Sequence, residues 1–470
     1  MADLPNYQCA AYRSQAPIWR FLEDTYAGVR AWVEFQADGT IKATAKARRY
    51  LPQESTETDK DYLNRLKRSP FSDKFAQAVR DFVGIVFNNG IKLLDVPPEI
   101  EQHWQRLGVG GLHGNLLAAR IGMKALRLGH SFALVDFPQV DESVHSRADM
   151  LAAQRQPFWC DISPLQLINW SYETRGNRDV LTRAVICYQG RSPAGKYGEQ
   201  FQTFYLELTP GRFDTWLIQA DNQREDRAIH VPEKSGVMGR RSRGRLEPLD
   251  FIPLVCLYGG DRQGFYQSNA TLFSLASLNI GHYQVKSDHR MKMHTCCFPQ
   301  PVRVGGDGSP IKLGYNVAVD VPIGGSFGFS EPNANSLAMS RQEVQDLEAE
   351  MDFLGADYLV KPGDRQAAQT SIIQATKIES ELYLFASDFA AGLTDCLQVH
   401  AAYLGLSGGG RAELNTKFFE QISSDPQLLM AFLQMRERGD LSREQLLALA
   451  QQKRYFPENF LDMNGGKHGS

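Results

Sequence analysis

Three observations predict an α+β fold. Apolar residues recur at helical spacing over the first 130 or so residues and again beyond 270, while 158–260 reads as short β-type runs split by turns. The two textures alternate too irregularly for a doubly wound parallel sheet, which argues for helices and strands in separate stretches. No period of roughly 20–50 residues repeats, which argues against a solenoid. At 470 residues the chain has the length for two or three domains with sizeable cores.

The elements follow in order. Residues 1–40 carry an aromatic stretch at Trp19, Phe21, Tyr26 and Trp32. A polar hinge from Pro52 to Asp59 ends with Thr58 or Asp59 placed to cap a helix through Tyr62, Leu63 and Leu66. The helix resumes after Pro70, with Phe71, Phe75, Val79, Phe82, Val83 and Val86 on one face. Gly108-Val109-Gly110-Gly111 precedes a helix from Asn115 to Leu128 that stops at Gly129, and Phe132 to Phe137 reads as a buried strand. The β-type runs are Leu181 to Tyr188, Phe201 to Leu208, Thr215 to Gln219 and Phe251 to Tyr258. From Thr271 the chain is helical to about His294. Short strands with Gly and Pro fill 299–335, and helix dominates to about 455, with breaks at Ser424-Asp425-Pro426 and Gly439-Asp440-Leu441-Ser442.

Charge and composition narrow the function. Apolar residues are 43% and charged residues 22%, the mix of a globular chain. Lys and Arg total 51 against 54 Asp and Glu, a formal net charge of −3, which excludes a protein clamping nucleic acid by bulk charge. The longest apolar run, Phe251 to Tyr258, is far short of the roughly 20 residues of a membrane helix. The first residues have neither the basic nor the apolar segment of a signal peptide. Seven cysteines, at 9, 160, 187, 256, 296, 297 and 396, form no framework and read as reduced thiols of an intracellularly made, soluble protein.

Several motifs approach known chemistry and miss it. Gly190-Arg191-Ser192-Pro193-Ala194-Gly195-Lys196 matches a phosphate loop through the lysine, but Tyr197 stands where a hydroxyl must ligate magnesium. A second β-run follows where a helix should open, so a strand–turn–strand hairpin is expected. Gly108-x-Gly110 has His113 at the sixth position and no preceding strand, which leaves a linker or helix-entry role. His282, His289, His294, Cys296 and Cys297 crowd together without a zinc spacing and read as coincidence. No Gly-x-Ser-x-Gly elbow or His-Glu-x-x-His helix occurs. Glu343, Asp346, Glu348, Glu350 and Asp352 read as helix surface. No catalytic, cofactor-binding or metal residues are assigned, and a non-enzymatic protein is expected.

Two basic features remain. Arg240, Arg241, Arg243 and Arg245 fall within six residues and read as a solvated loop, or else as contacts to phosphates or an acidic partner. In the helix after Thr271, Leu272, Ala276, Ile280 and Tyr283 form an apolar stripe, while the second half is polar, with Lys286, Asp288, Arg290 and Lys292. A helix that leaves a packed body and runs past neighbouring subunits or a solvent channel has this character.

Taken together, several blocks resemble the portal proteins of tailed bacteriophages, in a branch usually described as a domain of unknown function. They are Tyr50-Leu51-Pro52 with Asp61-Tyr62-Leu63-x-Arg65-Leu66-x-Arg68 and Gly84 to Phe87, then Gly129 to Pro138, then Ile168-Asn169-Trp170. Further along come Ile252 to Val255, Leu275-Ala276-x-Leu278-Asn279-Ile280-x-His282-Tyr283 with Ser287-Asp288, and Glu350 to Ala356. The blocks span about residue 45 to about residue 400 in the family's order.

The resemblance implies a portal fold with wing, stem, clip and crown regions, its subunits in a ring, typically twelve, around a DNA channel at a capsid vertex. On that basis 1–265 is the wing, 266–340 the stem and clip, and 341–470 wing and crown helices. Lys286, Arg290 and Lys292 would face DNA or the adjacent subunit, and Gly324-Gly325-Ser326-Phe327-Gly328 is one candidate tunnel loop. The implied partners are other copies of the chain, double-stranded DNA, the terminase packaging motor, a head-completion or adaptor protein and the major capsid protein. No cofactor and no membrane partner is implied. The location is the virion after assembly in the host cytoplasm. The competing readings are a nucleotide-binding or nucleic-acid-modifying enzyme using the 190–197 loop, and another capsid or adaptor protein. The balanced charge fits a channel, because every phosphate held by a cation would slow a sliding duplex.

Overall fold

The computed structural model describes residues 4–137, 156–219, 227–242, 245–296, 300–305, 321, 323–330, 334–355, 368–416, 434 and 436. Among them, seven helices have ten or more residues: α1 (Ala10–Ala27), α2 (Asp59–Arg68), α3 (Lys74–Phe87), α4 (Gly114–Leu128), α5 (Phe273–Cys296), α6 (Ala334–Leu354) and α7 (Ala368–Leu404). The strands that matter below begin with β1 (His130–Asp136), β2 (Phe158–Ile162), β3 (Leu167–Arg175), β4 (Arg178–Ala194) and β5 (Gly198–Thr209). They continue with β6 (Arg212–Gln219), β7 (Arg227–His230), β8 (Leu254–Tyr258), β9 (Gln300–Val304) and β10 (Ser326–Ser330). The mixed helix-and-strand content is the α+β class that the sequence predicts. Among the described residues, no helix is long and apolar enough to cross a membrane.

The chain folds into two compact units. One holds Met1–Ser14, Arg80–Ala270 and Pro362–Ser470, and the other Gln15–Val79 and Thr271–Lys361. Neither unit is one contiguous stretch of the sequence. Residues 15–79 group with the helices after 271 and not with the rest of 1–265, and the boundary at 340 falls inside the continuous helix α6. The cause is packing between segments far apart in sequence, which a linear composition shift does not record.

In the first unit, β8, β1 and β2 form an antiparallel sheet with β1 in the middle. Six of the seven residues of β1 are buried, the apolar run Phe132 to Val135 together with His130 and Ser131, as in a covered central strand. Helix α4 buries Leu117, Ala118, Ile121, Ala125 and Leu128 at helical spacing, and His113 caps its start, its Nδ1 accepting the Asn115 N–H at 3.1 Å. That is the helix-entry role expected of the glycine-rich stretch. The helix ends at Gly129 (φ 92°), where a Cβ would lie 2.6 Å from Ser268 Oγ, so only glycine fits. Helix α7 buries Leu382, Phe385, Phe389, Leu393 and Leu397, and Gly392 lets it close on β8, with Leu257 about 3 Å from where a Cβ would stand.

A second sheet holds β3 to β7 as an antiparallel meander in sequence order, which is why the sequence shows β-runs split by turns. The 190–197 loop is the tip of the β4–β5 hairpin, with Gly195 at φ 75°. Lys196 therefore sits on a strand–turn–strand tip, without the helix N-terminus a phosphate site needs. The strand Arg411–Glu413 closes on Lys92–Leu94. The breaks expected near 424 and 439 lie outside the described residues.

In the second unit, Trp32, Tyr50, Leu51, Tyr62, Leu66, Ile280 and Tyr283 form one buried cluster. The Trp32 ring lies 4.9 Å from those of Tyr50 and Phe71 and 5.5 Å from that of Tyr283. Thr58 caps α2, its hydroxyl accepting the Asp61 N–H at 3.2 Å and donating to the Asp61 carboxylate at 2.6 Å. Asp59 and Asp61 in the first turn, with Arg65, Lys67 and Arg68 in the last, suit the helix dipole.

Candidate functional site: a polar seam between two antiparallel helices

Helices α5 and α6 pack antiparallel, and the ribbon of β9 and β10 is formed by the chain between them. The apolar stripe expected on α5 is buried: Leu272 just before it, then Ala276, Ile280 and Tyr283. Two polar residues of the same half are buried as well. Asn279 Oδ1 accepts the Phe75 N–H at 3.0 Å, and its Nδ2 donates to the Ser72 carbonyl at 2.7 Å, so α5 caps the start of α3. Ser287 meets Ser69 Oγ at 2.8 Å, and Gln284 donates to the Tyr50 carbonyl at 3.0 Å.

The seam with α6 is ionic. Glu348 Oε1 accepts from His282 Nε2 and from Lys286 Nζ, both at 3.0 Å, and Lys286 also reaches Ser72 Oγ at 3.3 Å. His289 Nδ1 lies 3.2 Å from Ser340 Oγ, one step further along the antiparallel register. Lys74, at the start of α3, binds Asp352 at 2.7 Å. Burial pushes the Glu348 carboxyl up, but the bonds from Lys286 and His282 outweigh it and hold the group below its ordinary value. Burial holds His282 low against the opposing pull of Glu348, so it is neutral with its proton on Nε2. Its Nδ1 has no partner.

Beyond Ser287 the helix emerges, and Asp288, Arg290, Met291, Lys292, Met293 and His294 are exposed. Of the three channel candidates, Lys286 bonds Glu348 within the chain, with its side chain 21% exposed. Arg290 and Lys292 are exposed, with Lys292 close enough to Asp288 to act on its carboxyl. Reading the acidic residues of α6 as surface was also incomplete. Glu343, Asp346 and Glu350 are exposed, but Glu348 and Asp352 hold cations of other elements.

On either side of residues 243–244 the arginine run pairs as a β-ribbon, with Arg240 exposed. Gly239–Ser242 pairs with Arg245–Pro248, and Arg240 binds Glu247 at 2.9 Å. Arg241 pairs through its backbone with Leu246 and Arg245 with Ser242, while Arg243 lies outside the described residues. The tunnel-loop candidate falls partly in β10, whose Ser326, Phe327 and Gly328 pair with Val304, Arg303 and Val302. His282, His289 and His294 separate into buried, bonded and exposed positions, and Cys297 lies outside the described residues. Among the described residues, no group of three His, Cys, Asp or Glu is placed to hold a metal.

One triad-like cluster occurs that the sequence did not signal. Asp214 Oδ1 and Ser235 Oγ each lie 3.0 Å from His230, but both at the same Nε2, and Ser235 donates its proton to the Val231 carbonyl. A relay needs the acid and the hydroxyl on opposite ring nitrogens, so this cluster locks a turn and activates no nucleophile. Asn279 and Glu348 were legible as residues but not as partners, because their contacts lie hundreds or tens of residues away.

Residues 271–404 match the family described as a domain of unknown function, DUF4055. The matched span contains α5, β9, β10, α6 and α7, and it is the kind of branch that the sequence resembles. A search of curated proteins finds no match. Solved structures similar to this chain include the neck of a native gene transfer agent particle computed with C12 symmetry, at 11% identity and TM-score 0.38, covering 82% of this chain and 91% of that one. The virion of a native gene transfer agent particle matches at 11% identity and TM-score 0.36, covering 84% and 93%. The neck of an empty particle computed with C6 symmetry matches at 12% and 0.34, covering 81% and 87%.

Proposed function

We propose that this chain is the portal subunit of a tailed-phage-like particle, assembling into a ring around a DNA channel at a capsid vertex. The observation that carries the reading is the helix–ribbon–helix order within the DUF4055 segment, with α5 half inside a core and half emerging. In this reading α5 and α6 form the stem, the chain around β9 and β10 the clip, and Arg290 and Lys292 face the channel or the adjacent copy. A ring explains why the far half of α5 is polar and exposed while its first half is pinned by Asn279, His282 and Tyr283. The packaging motor and later a head–tail connector would dock on the clip, the major capsid protein would surround the ring, and the particle is the location. The subunit carries out no hydrolysis of its own. The phosphate-loop alternative finds no support in a lysine on a hairpin tip.

Electron microscopy of the purified chain tests this. Rings with a central pore are expected, and a monodisperse monomer across salt and concentration overturns the proposal.

A further inference from the structure

Strands β4 and β5 continue as an arm beyond their sheet. β3 stops pairing with β4 at Leu167 opposite Ile186, and β6 stops pairing with β5 at Leu217 opposite Phe204, while β4 and β5 stay paired to Ala194 opposite Gly198. The ribbon therefore runs about 20 Å past its neighbours. A two-stranded ribbon alone in water is marginal, so this one gains from a surface to lie on. Its tip is made for contact. Tyr197 is 87% exposed and Phe201 62% exposed, with Lys196 5.0 Å above the first ring and Arg191 5.7 Å above the second. Aromatic residues and arginine are the types enriched in protein interfaces. The acid on the arm is Glu199, 3.6 Å from Arg191, which leaves the tip net positive.

Helix α7 offers a matching surface. Glu381, Leu384 and Asp388 lie at i, i+3 and i+7 and are exposed, Leu384 to 63%, beside exposed Tyr383. The opposite side of α7 carries its buried Leu382, Phe385 and Phe389. The two patches cannot meet within one chain. Asp395, about 10 Å further along α7 than Asp388, feels the charge of Arg178 at the start of β4. The arm tip lies at the other end of β4, roughly 50 Å away.

We propose that the arm of one copy docks on the α7 face of the next, Arg191 and Lys196 meeting Glu381 and Asp388, and Tyr197 and Phe201 covering Leu384 and Tyr383. Arm and receptor face are different surfaces, so the contact is head-to-tail, the type that closes into a ring. The inference rests on the ring reading above and names one of its subunit contacts.

Charge reversal tests it, with ring formation read by light scattering and electron microscopy. R191E/K196E and E381K/D388K should each raise the concentration needed for ring assembly about tenfold or more, a change of about 1.4 kcal/mol or more per contact. An equimolar mixture of the two variants should restore rings, since each arm then meets a complementary α7. Rings unchanged in either variant, or a mixture that stays unassembled while both variants keep the wild-type melting temperature, would overturn the contact and leave the ring reading standing. If a reversal lowers the melting temperature, R191Q/K196Q and E381Q/D388N are read instead, each alone, and an unchanged assembly concentration in both overturns the contact. A wild-type chain that forms no ring overturns both.

Discussion

Replacing Glu57 with Gln probes the buried ion pair that holds the entry to α2. Arg65 donates Nε to Glu57 Oε1 and Nη2 to Oε2, each at 2.8 Å, and Nη2 also reaches the Pro52 carbonyl at 2.6 Å. The two side chains are only 5% and 4% exposed, and the guanidinium lies 5.5 Å from the centre of the Tyr62 ring. Gln keeps the shape but leaves a guanidinium charge buried without its counter-ion. Removing one member of such a pair costs about 3–5 kcal/mol. For a unit of this size that lowers the melting temperature by roughly 10 °C. The assay is thermal and urea unfolding of E57Q beside E57L/R65L, in which both charges are gone and most of the loss should be recovered. A cost below about 1 kcal/mol for E57Q, the value of an exposed pair, would refute the reasoning. The pH dependence has a definite sign. Hydrogen bonds from Arg65 hold the Glu57 carboxyl below its ordinary value, so its contribution is present above the unfolded pKa and is lost as pH falls through the lower folded one. The gap between wild type and E57Q should therefore narrow in acid.

Other predictions follow from the same structure. His130 and His400 are fully buried and held down to about 3 by burial, with His103 adding to the effect on His400, so both are neutral in the fold. Their stabilisation is present above the ordinary histidine pKa and lost as pH falls, by about 2 kcal/mol each at pH 5; a melting temperature unchanged between pH 7 and 5 would contradict this. Asn279→Ala should cost about 2–3 kcal/mol in urea unfolding, because it leaves the Phe75 N–H and the Ser72 carbonyl unpaired, whereas Asn279→Asp keeps the acceptor and should recover part of the loss. Gly114→Ala places a methyl on the Trp104 ring and should destabilise by about 1–3 kcal/mol, measured as a shift in melting temperature. Under the portal reading, R290E and K292E should leave rings intact and change DNA retention, and rings that fail to form would place these residues in the subunit contact.

Much of this was legible from short-range signals. The Thr58 cap, the run of α4 up to Gly129, the buried β1 and the emergence of α5 after Ser287 all follow from spacing and side-chain type within about one element. The hairpin at 190–197 followed from one misplaced residue, Tyr197. What was not legible depended on partners remote in sequence. Nothing near Lys286 in the sequence points to Glu348, Asn279 gives no sign of Phe75 and Ser72, and Lys74 gives none of Asp352.

By itself the sequence determined the α+β class, the order of helical and β-rich stretches, the amphipathic switch along α5 and the resemblance that the DUF4055 match meets on 271–404. Those properties are set by local periodicity and by which side chains avoid water. The tertiary structure alone decided which charges are spent inside the fold and which remain outside, because ionic pairing depends on distance in space and a charge gives no local sign of its partner. It also decided that α7 presents Glu381, Leu384 and Asp388 outward while the β4–β5 arm carries its cations and aromatics roughly 50 Å from Arg178, since exposure on a packed helix and reach beyond a sheet exist only once neighbouring elements have taken their places.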